Sequence, residues 1–158
     1  MANRLGKFVI RRARTEDLDA LHAMQDAAGH PRWGGDALQS SGHRVVQVAL
    51  LGGALVGAGK THLHREPDGP APAGHYLGGV VVHPRFRRQC VGAGLTLARL
   101  DWIWERAESA YYFTNERNTA SLRMHSQLGF AEIARRPSFH GVPADDPLSQ
   151  LVLFRAAR

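Results

Sequence analysis

Val80-Val81-Val82-His83-Pro84-Arg85-Phe86-Arg87-Arg88-Gln89-Cys90-Val91-Gly92-Ala93-Gly94-Leu95 changes character twice within one short run. The β-branched segment, preceded by Gly78-Gly79, reads as a buried strand whose backbone something approaches closely. Pro84 stops the strand, a basic turn follows, and helical spacing begins after Gly92. A turn of this kind aims backbone N–H groups, a helix N-terminus and several guanidinium groups at one point. That point suits an anion, above all a pyrophosphate.

Upstream, His75–His83 completes the strand. Arg44–Leu51, the pair Gly52-Gly53 and Ala54–His64 form a hairpin pattern. Arg65–Gly74, dense in Pro and Gly, reads as a disorder-prone surface loop at a hairpin tip. Nearer the N-terminus, Lys7–Arg12 is a short strand. Thr15 is placed to cap a helix whose inner face carries Leu18, Leu21, Met24 and Ala28, and Gly29 ends it. The segment 30–42, with Trp33, reads as a loop with a helical turn around Asp36–Gln39.

Downstream, a helix over Gly92–Ala107 has its apolar stripe at Ala93, Leu97, Leu100, Trp104 and Ala107. Ala110–Asn115 is a strand. Asn118 caps a further helix with Ala120, Met124 and Leu128 on one side, and Gly129-Phe130 stops it. Phe130–Arg135 and Gln150–Arg155 are closing strands. The order gives an α+β (mixed α/β) fold, with a central, largely antiparallel twisted sheet of about six or seven strands flanked by three or four helices.

The bulk numbers agree with a single domain over 1–158. The hydrophobic and charged fractions, 44% and 22%, are those of an ordinary globular protein. A net charge of +6 and a pI near 10.4 invite a nucleic-acid reading. The arginines, however, are scattered in small groups with no aromatic-spaced RNA motif, so no nucleic-acid partner is expected. One cysteine excludes an internal disulfide, and nine dispersed histidines give no metal-ligand spacing. Met1–Lys7 lacks a signal-peptide core, and Val45–Gly59 is too broken to span a bilayer, so a cytoplasmic protein without a membrane partner is expected.

The element order and two motifs resemble the GCN5-related N-acetyltransferase (GNAT) family. The family's Gln/Arg-x-x-Gly-x-Gly/Ala signature stands as Gln89-Cys90-Val91-Gly92-Ala93-Gly94. Its second signature, an Asn followed by a helix ending in Gly-Phe, runs from Asn115 to Gly129-Phe130, with a strand between the two motifs. The resemblance implies acetyl-CoA as co-substrate, no metal, and a primary amine of a small molecule or peptide as acceptor, attacked directly in a ternary complex. Homodimers are common in the family, so a homodimer is a possible assembly. A catalytically silent CoA-binding or regulatory domain of the same fold is the alternative reading.

Carried over residue by residue, the resemblance implies that Arg87, Arg88, Gln89, Cys90, Val91, Gly92, Ala93 and Gly94 hold the pyrophosphate. Val80, Val81 and Val82 would bracket the acetyl thioester, with a backbone N–H polarising its carbonyl. Asn118, Ser121 and His125, three and four residues apart on one helical face, would line the sulfur end. The chain departs from the family pattern at three places. His125 stands where a proton-donating Tyr is usual, and imidazole can serve that role. Tyr76 stands where the strand is often acidic, which leaves His75, Tyr76 and His83 as candidate bases or water-holders. Cys90 replaces a common glycine. Acceptor specificity is expected in 30–42, 62–76 and 136–150, where Asp36, Asp145 and Asp146 offer charge to a cationic amine.

Overall fold

The computed structural model describes residues 3–5, 7–39 and 41–158. The chain forms two compact units, Met1–His62 with Leu77–Trp102, and Leu63–Tyr76 with Ile103–Arg158.

The first unit holds β1 (Asn3–Leu5), β2 (Phe8–Arg12), α1 (Leu18–Ala27), β3 (Val46–Leu51), β4 (Ala54–His64, as far as His62), the later part of β5 (Gly74–Val82), and α2 (Val91–Trp104) through Trp102. Its strands lie in the order β1-β2-β3-β4-β5. The pairings β1–β2, β2–β3 and β3–β4 are antiparallel, with Val9 opposite Leu50 and Val46 opposite Lys60. Gly52 and Gly53, at φ 55° and 85°, make the left-handed two-residue turn that the right-handed strand twist favours. One cluster gathers Leu21, Met24, Trp33, Leu38, Val46, Val48 and Val81; another joins Phe8, Ile10, Ala49, Val56, Val91 and Leu95. Full burial of each such side chain contributes about 1.5–3 kcal/mol before the entropy of ordering it.

Two expectations change here. Thr15 opens a short 3₁₀ turn, Thr15–Asp17, and does not cap α1. The position is governed by Asp17, which takes both guanidinium nitrogens of Arg11 at 2.8 and 2.9 Å and the Arg14 N–H at 2.7 Å. A carboxylate with three donors outcompetes a hydroxyl. Arg11 accordingly holds the Asp17 carboxyl below its ordinary value. The α2 stripe is also displaced in part. Leu100 is buried as expected, but Leu97 is 40% exposed, and the buried face also carries Val91, Leu95, Arg99 and Trp102. Hydropathy misplaces the stripe because its centre is an arginine, 1% exposed, whose donors are met inside the unit.

The second unit holds the start of β5, the end of α2, β6 (Ser109–Asn115), α3 (Thr119–Gln127), β7 (Ala131–Arg136), β8 (Ser138–Phe139), β9 (Val142–Pro143) and β10 (Leu151–Ala157). The strand order is β5-β6-β10-β7. β10 is antiparallel to both β6 and β7, and Tyr76 pairs with Tyr111 in a parallel β5–β6 contact. The sheet is therefore mixed and mostly antiparallel, as expected. The short hairpin β8–β9 lies in a segment that reads as loop. The Pro-rich stretch at Arg65–Gly74 is ordered around Asp68. Its carboxylate accepts the His140 N–H at 2.7 Å and lies 3.4 Å from Arg136 Nη1. Ala71 is fully buried.

α3 is capped by Asn118, whose side chain accepts the Ser121 N–H at 3.3 Å, and Gly129 at φ 87° ends it. Its inner face is not Ala120-Met124-Leu128: Ala120 is exposed, and His125 is the buried residue. Of the polar face that carries Asn118, Ser121 and His125, His125 is buried, Ser121 half-buried and Asn118 exposed.

Candidate active site

In the first unit, β5 ends at Val82, one residue before the sequence places its end. His83 instead organises the turn, its Nδ1 accepting the Arg85 N–H at 3.2 Å. Pro84–Phe86 is a 3₁₀ turn. Gln89 Nε2 donates to Arg85 O at 3.2 Å, closing the loop on itself. Arg88 and Cys90 both stand in the left-handed region, at φ 59° and 64°. That conformation costs a non-glycine residue about 1–2 kcal/mol. Cys90 thus stands where the backbone favours glycine. The Cys90 side chain is exposed.

The first ladder bond of α2 runs from Gly94 N–H to Cys90 O at 3.0 Å, so the N–H groups of Val91, Gly92 and Ala93 lie ahead of it at the helix mouth. A Cβ placed on Gly92 would meet nothing within 4 Å. The protein itself does not require glycine there; the space stands open at the positive end of the helix dipole. Arg85, Arg87 and Arg88 are exposed, and none forms an ion pair among the described residues. Arg87 Nε reaches back to Val82 O at 3.4 Å. On β5, Val81 is buried in the core while Val80 is 38% exposed.

Next to these valines lies a group that sequence reasoning passed over. Lys60, on β4, carries its Nζ 4.6 Å from the centroid of the Trp33 ring. Burial, and secondarily the charge of Arg44, pushes its amine below the ordinary lysine value. Trp33 is itself buried among core residues.

In the second unit, the His125 ring lies flat on that of Tyr112, centroids 3.6 Å apart and 5° from parallel. Nδ1 is 2.8 Å from Ser121 O. A carbonyl only accepts, so Nδ1 carries a proton and donates it there. Ser121 Oγ stands 3.4 Å from the same Nδ1 and is hydrogen-bonded to the Tyr112 hydroxyl. Asn118 Nδ2 donates to Thr114 Oγ1 at 3.3 Å. Tyr112 is absent from the sequence-derived set. Strand alternation offers the signal, since neighbours Tyr111 and Tyr112 must face opposite ways. Tyr111 packs beside Tyr76, and Tyr112 meets His125.

Tyr76 is 1% exposed, its hydroxyl donating to Pro72 O at 2.6 Å and lying 3.1 Å from His140 Nε2. Burial, with smaller contributions from Tyr111 and Asp68, pushes the phenol well above its ordinary value. Held protonated, it is a hydrogen-bond donor at neutral pH. His64 and His140 stack at 3.8 Å beside it. His75 is buried at the start of β5. Among the described residues no three His, Cys, Asp or Glu side chains could hold a metal, and no helix is long and apolar enough to cross a membrane.

The fold recurs in known proteins. A family model described as the acetyltransferase (GNAT) family matches residues 8–130, and the chain belongs to that family. No curated relative matches the sequence. Solved structures share the fold at low identity. The ribosomal-protein-S18-alanine N-acetyltransferase of Escherichia coli is 18% identical with a TM-score of 0.73, over 95% of this chain and 93% of that one. The putative acetyltransferase yncA of Salmonella typhimurium, solved with acetyl-CoA, is 19% identical with a TM-score of 0.74, over 96% and 94%. A putative streptothricin acetyltransferase of Bacillus anthracis, in complex with acetyl coenzyme A, is 14% identical with a TM-score of 0.75, over 97% and 99%.

Proposed function

We propose that this acetyltransferase takes acetyl-CoA as co-substrate and moves the acetyl group to a primary amine of a small molecule or peptide by direct attack in a ternary complex. The observation that carries the reading is the turn before α2. Helix-end N–H groups ahead of the first ladder bond, three arginines without carboxylate partners among the described residues, and open space at Gly92 together suit a pyrophosphate. Acetyl-CoA supplies an activated thioester. The residues Arg87 to Gly94 hold its phosphates, and the backbone of Val80, Val81 and Val82 orients the carbonyl and polarises it through an N–H.

His125 is the proton donor for the departing thiolate. Its Nδ1 is fixed on Ser121 O, so the exchanging proton sits on Nε2, and the flat Tyr112 ring holds the imidazole plane. Asn118 and Ser121 keep that helical turn in place. Tyr76, expected from the sequence as a candidate base or water-holder, is buried and protonated through neutral pH with its one O–H given to Pro72 O, so it serves neither as the base nor as a donor to the acceptor and holds only the neighbouring loop.

The test is titration calorimetry with acetyl-CoA on the wild type and on Gly92→Glu, followed by turnover on a panel of amines. Low-micromolar binding that the variant loses, with turnover of at least one amine, supports the proposal. Absence of binding overturns it. Binding without any turnover favours the silent CoA-binding domain.

A further inference from the structure

The chain has eighteen arginines but only two lysines, Lys7 and Lys60. Where a positive charge alone is wanted, this sequence uses arginine, so each lysine asks for a separate reason. Lys7 is exposed, with its Nζ 5.3 Å from the centroid of its neighbour Phe8. Lys60 is half-buried inside the first unit, on the strand next to β5.

Four observations define its setting. Its ammonium lies against the Trp33 face, and no carboxylate among the described residues forms an ion pair with it. Its side chain passes over Gly79: a Cβ there would stand 3.6 Å from Lys60 Cε and 3.4 Å from Trp33 Cζ2. Gly79 immediately precedes Val80, so the lysine's side chain lies in van der Waals reach of the residue that opens the strand segment proposed to hold the thioester. Finally, Arg99 Nη1 donates to both Lys60 O and Gly78 O, at 3.0 and 3.1 Å, clamping the two backbones at this level.

A lysine stripped of carboxylates and partly desolvated keeps a larger neutral fraction, and neutral amine is the nucleophile. Arginine cannot do this. An amine without a carboxylate partner, next to the strand segment proposed to hold the thioester, is placed as an acceptor.

We infer that Lys60 is a self-acetylation site, its Nζ taking the acetyl group from acetyl-CoA bound to the same chain; this rests on the reading of Val80–Val82 as the thioester strand. The neutral Nζ attacks the thioester carbonyl carbon. A C–N bond forms and the C–S bond breaks. The nitrogen gives up one proton to the departing thiolate, leaving Nζ-acetyl-lysine and free CoA. The amide removes the charge from the Trp33 face, so modified and unmodified chains present different surfaces to an amine acceptor.

The experiment incubates the full chain with acetyl-CoA and follows intact mass and peptide maps, with calorimetry of acetyl-CoA binding on the same preparation. The expected result is one acetyl group, at Lys60, formed at least about 10²-fold faster than at Lys7 as alignment of bound groups allows. Its rate should not depend on protein concentration. Lys60→Arg should abolish it while acetyl-CoA still binds, and Gly92→Glu should abolish both. Binding without label at Lys60 overturns this inference and leaves the proposed function standing. So does equal labelling of Lys7, labelling of Gly92→Glu at the wild-type rate, or a rate that rises with protein concentration. Failure of acetyl-CoA to bind removes both.

Discussion

Helices α2 and α3 each bury a polar residue at the middle of the inner face, and the two residues are used in opposite ways. In α2, Arg99 spends its donors on groups that can only accept or that lie within its own helix. Nε bonds Leu95 O at 3.2 Å, Nη1 bonds Lys60 O and Gly78 O, and Nη2 bonds Thr96 Oγ1 at 3.0 Å. An always-protonated group on carbonyl oxygens has no proton to trade. In α3, His125 likewise donates Nδ1–H to a carbonyl, Ser121 O, at 2.8 Å, but imidazole has a second ring nitrogen that can exchange a proton. The first arrangement is structural and the second is suited to chemistry. A buried polar group is thus sorted by what its own atoms can exchange, not by burial.

The largest expected effect tests the second half of that contrast. His125→Gln should lower turnover by about 10²–10⁴-fold, the usual contribution of a positioned acid or base. Acetyl-CoA affinity and melting temperature should change little. A parallel fall in binding, measured by calorimetry, would make His125 a packing residue like Arg99 and dissolve the distinction. Arg99→Met tests the other half. It leaves the carbonyls of Lys60 and Gly78 without their donor, and should cost about 1–3 kcal/mol in urea denaturation, as buried acceptors left unsatisfied do. A loss under about 1 kcal/mol would show that the strands hold without it.

A smaller effect sharpens the α3 cluster. Tyr112→Phe retains the ring on His125 and removes only the hydroxyl bonded to Ser121. Stability should fall by about 1 kcal/mol, the net worth of one hydrogen bond. The pH–rate profile should shift as well, because Ser121 then orients only toward the imidazole. An unchanged profile would reduce Tyr112 to a flat support.

This contrast also explains what was legible in the sequence. The turn at His83–Gly94 could be read directly, because proline, glycine and clustered arginine mark local backbone geometry. So could the Gly52-Gly53 hairpin and the Gly129-Phe130 stop. The buried stripes of α2 and α3 could not. Apolar periodicity assumes that polar residues face solvent, and Arg99 and His125 invert that by finding partners far along the chain or across a helical turn. Lys60 and Tyr112 were missed for a related reason. Their meaning comes from Trp33, Gly79 and His125, partners that only the folded register supplies. The capping of α1 failed at Thr15 because Arg11, on another element, recruits Asp17.

Gly92→Ala separates fold from ligand within α2 itself. The glycine has open space around it and lies in the first helical turn, so alanine should raise stability by up to about 1 kcal/mol through helix propensity. Acetyl-CoA affinity should nevertheless drop, since the added methyl enters the space proposed for the phosphates. A variant that is both more stable and equally tight-binding would place the anion elsewhere on the turn.

The smallest effect concerns a histidine that is neither Arg99-like nor His125-like. His64 is part of the Tyr76–His140 stack, and burial, with the charge of His140, holds its imidazole below the ordinary value of 6.5. The folded chain therefore binds fewer protons there than the unfolded chain. Its contribution to stability is complete above pH 6.5 and is lost as the pH falls through the depressed folded value. Melting temperatures taken downward from neutral pH should show this loss, and His64→Gln should flatten it without altering turnover at neutral pH. The Asp17 carboxylate, lowered by Arg11, contributes in the same direction but only at more acid pH, through and below its ordinary value of 3.8. The two are separable by where along the titration stability falls. If His64→Gln leaves the slope near neutrality intact, the proton uptake belongs to another histidine, and His125 becomes the first to examine.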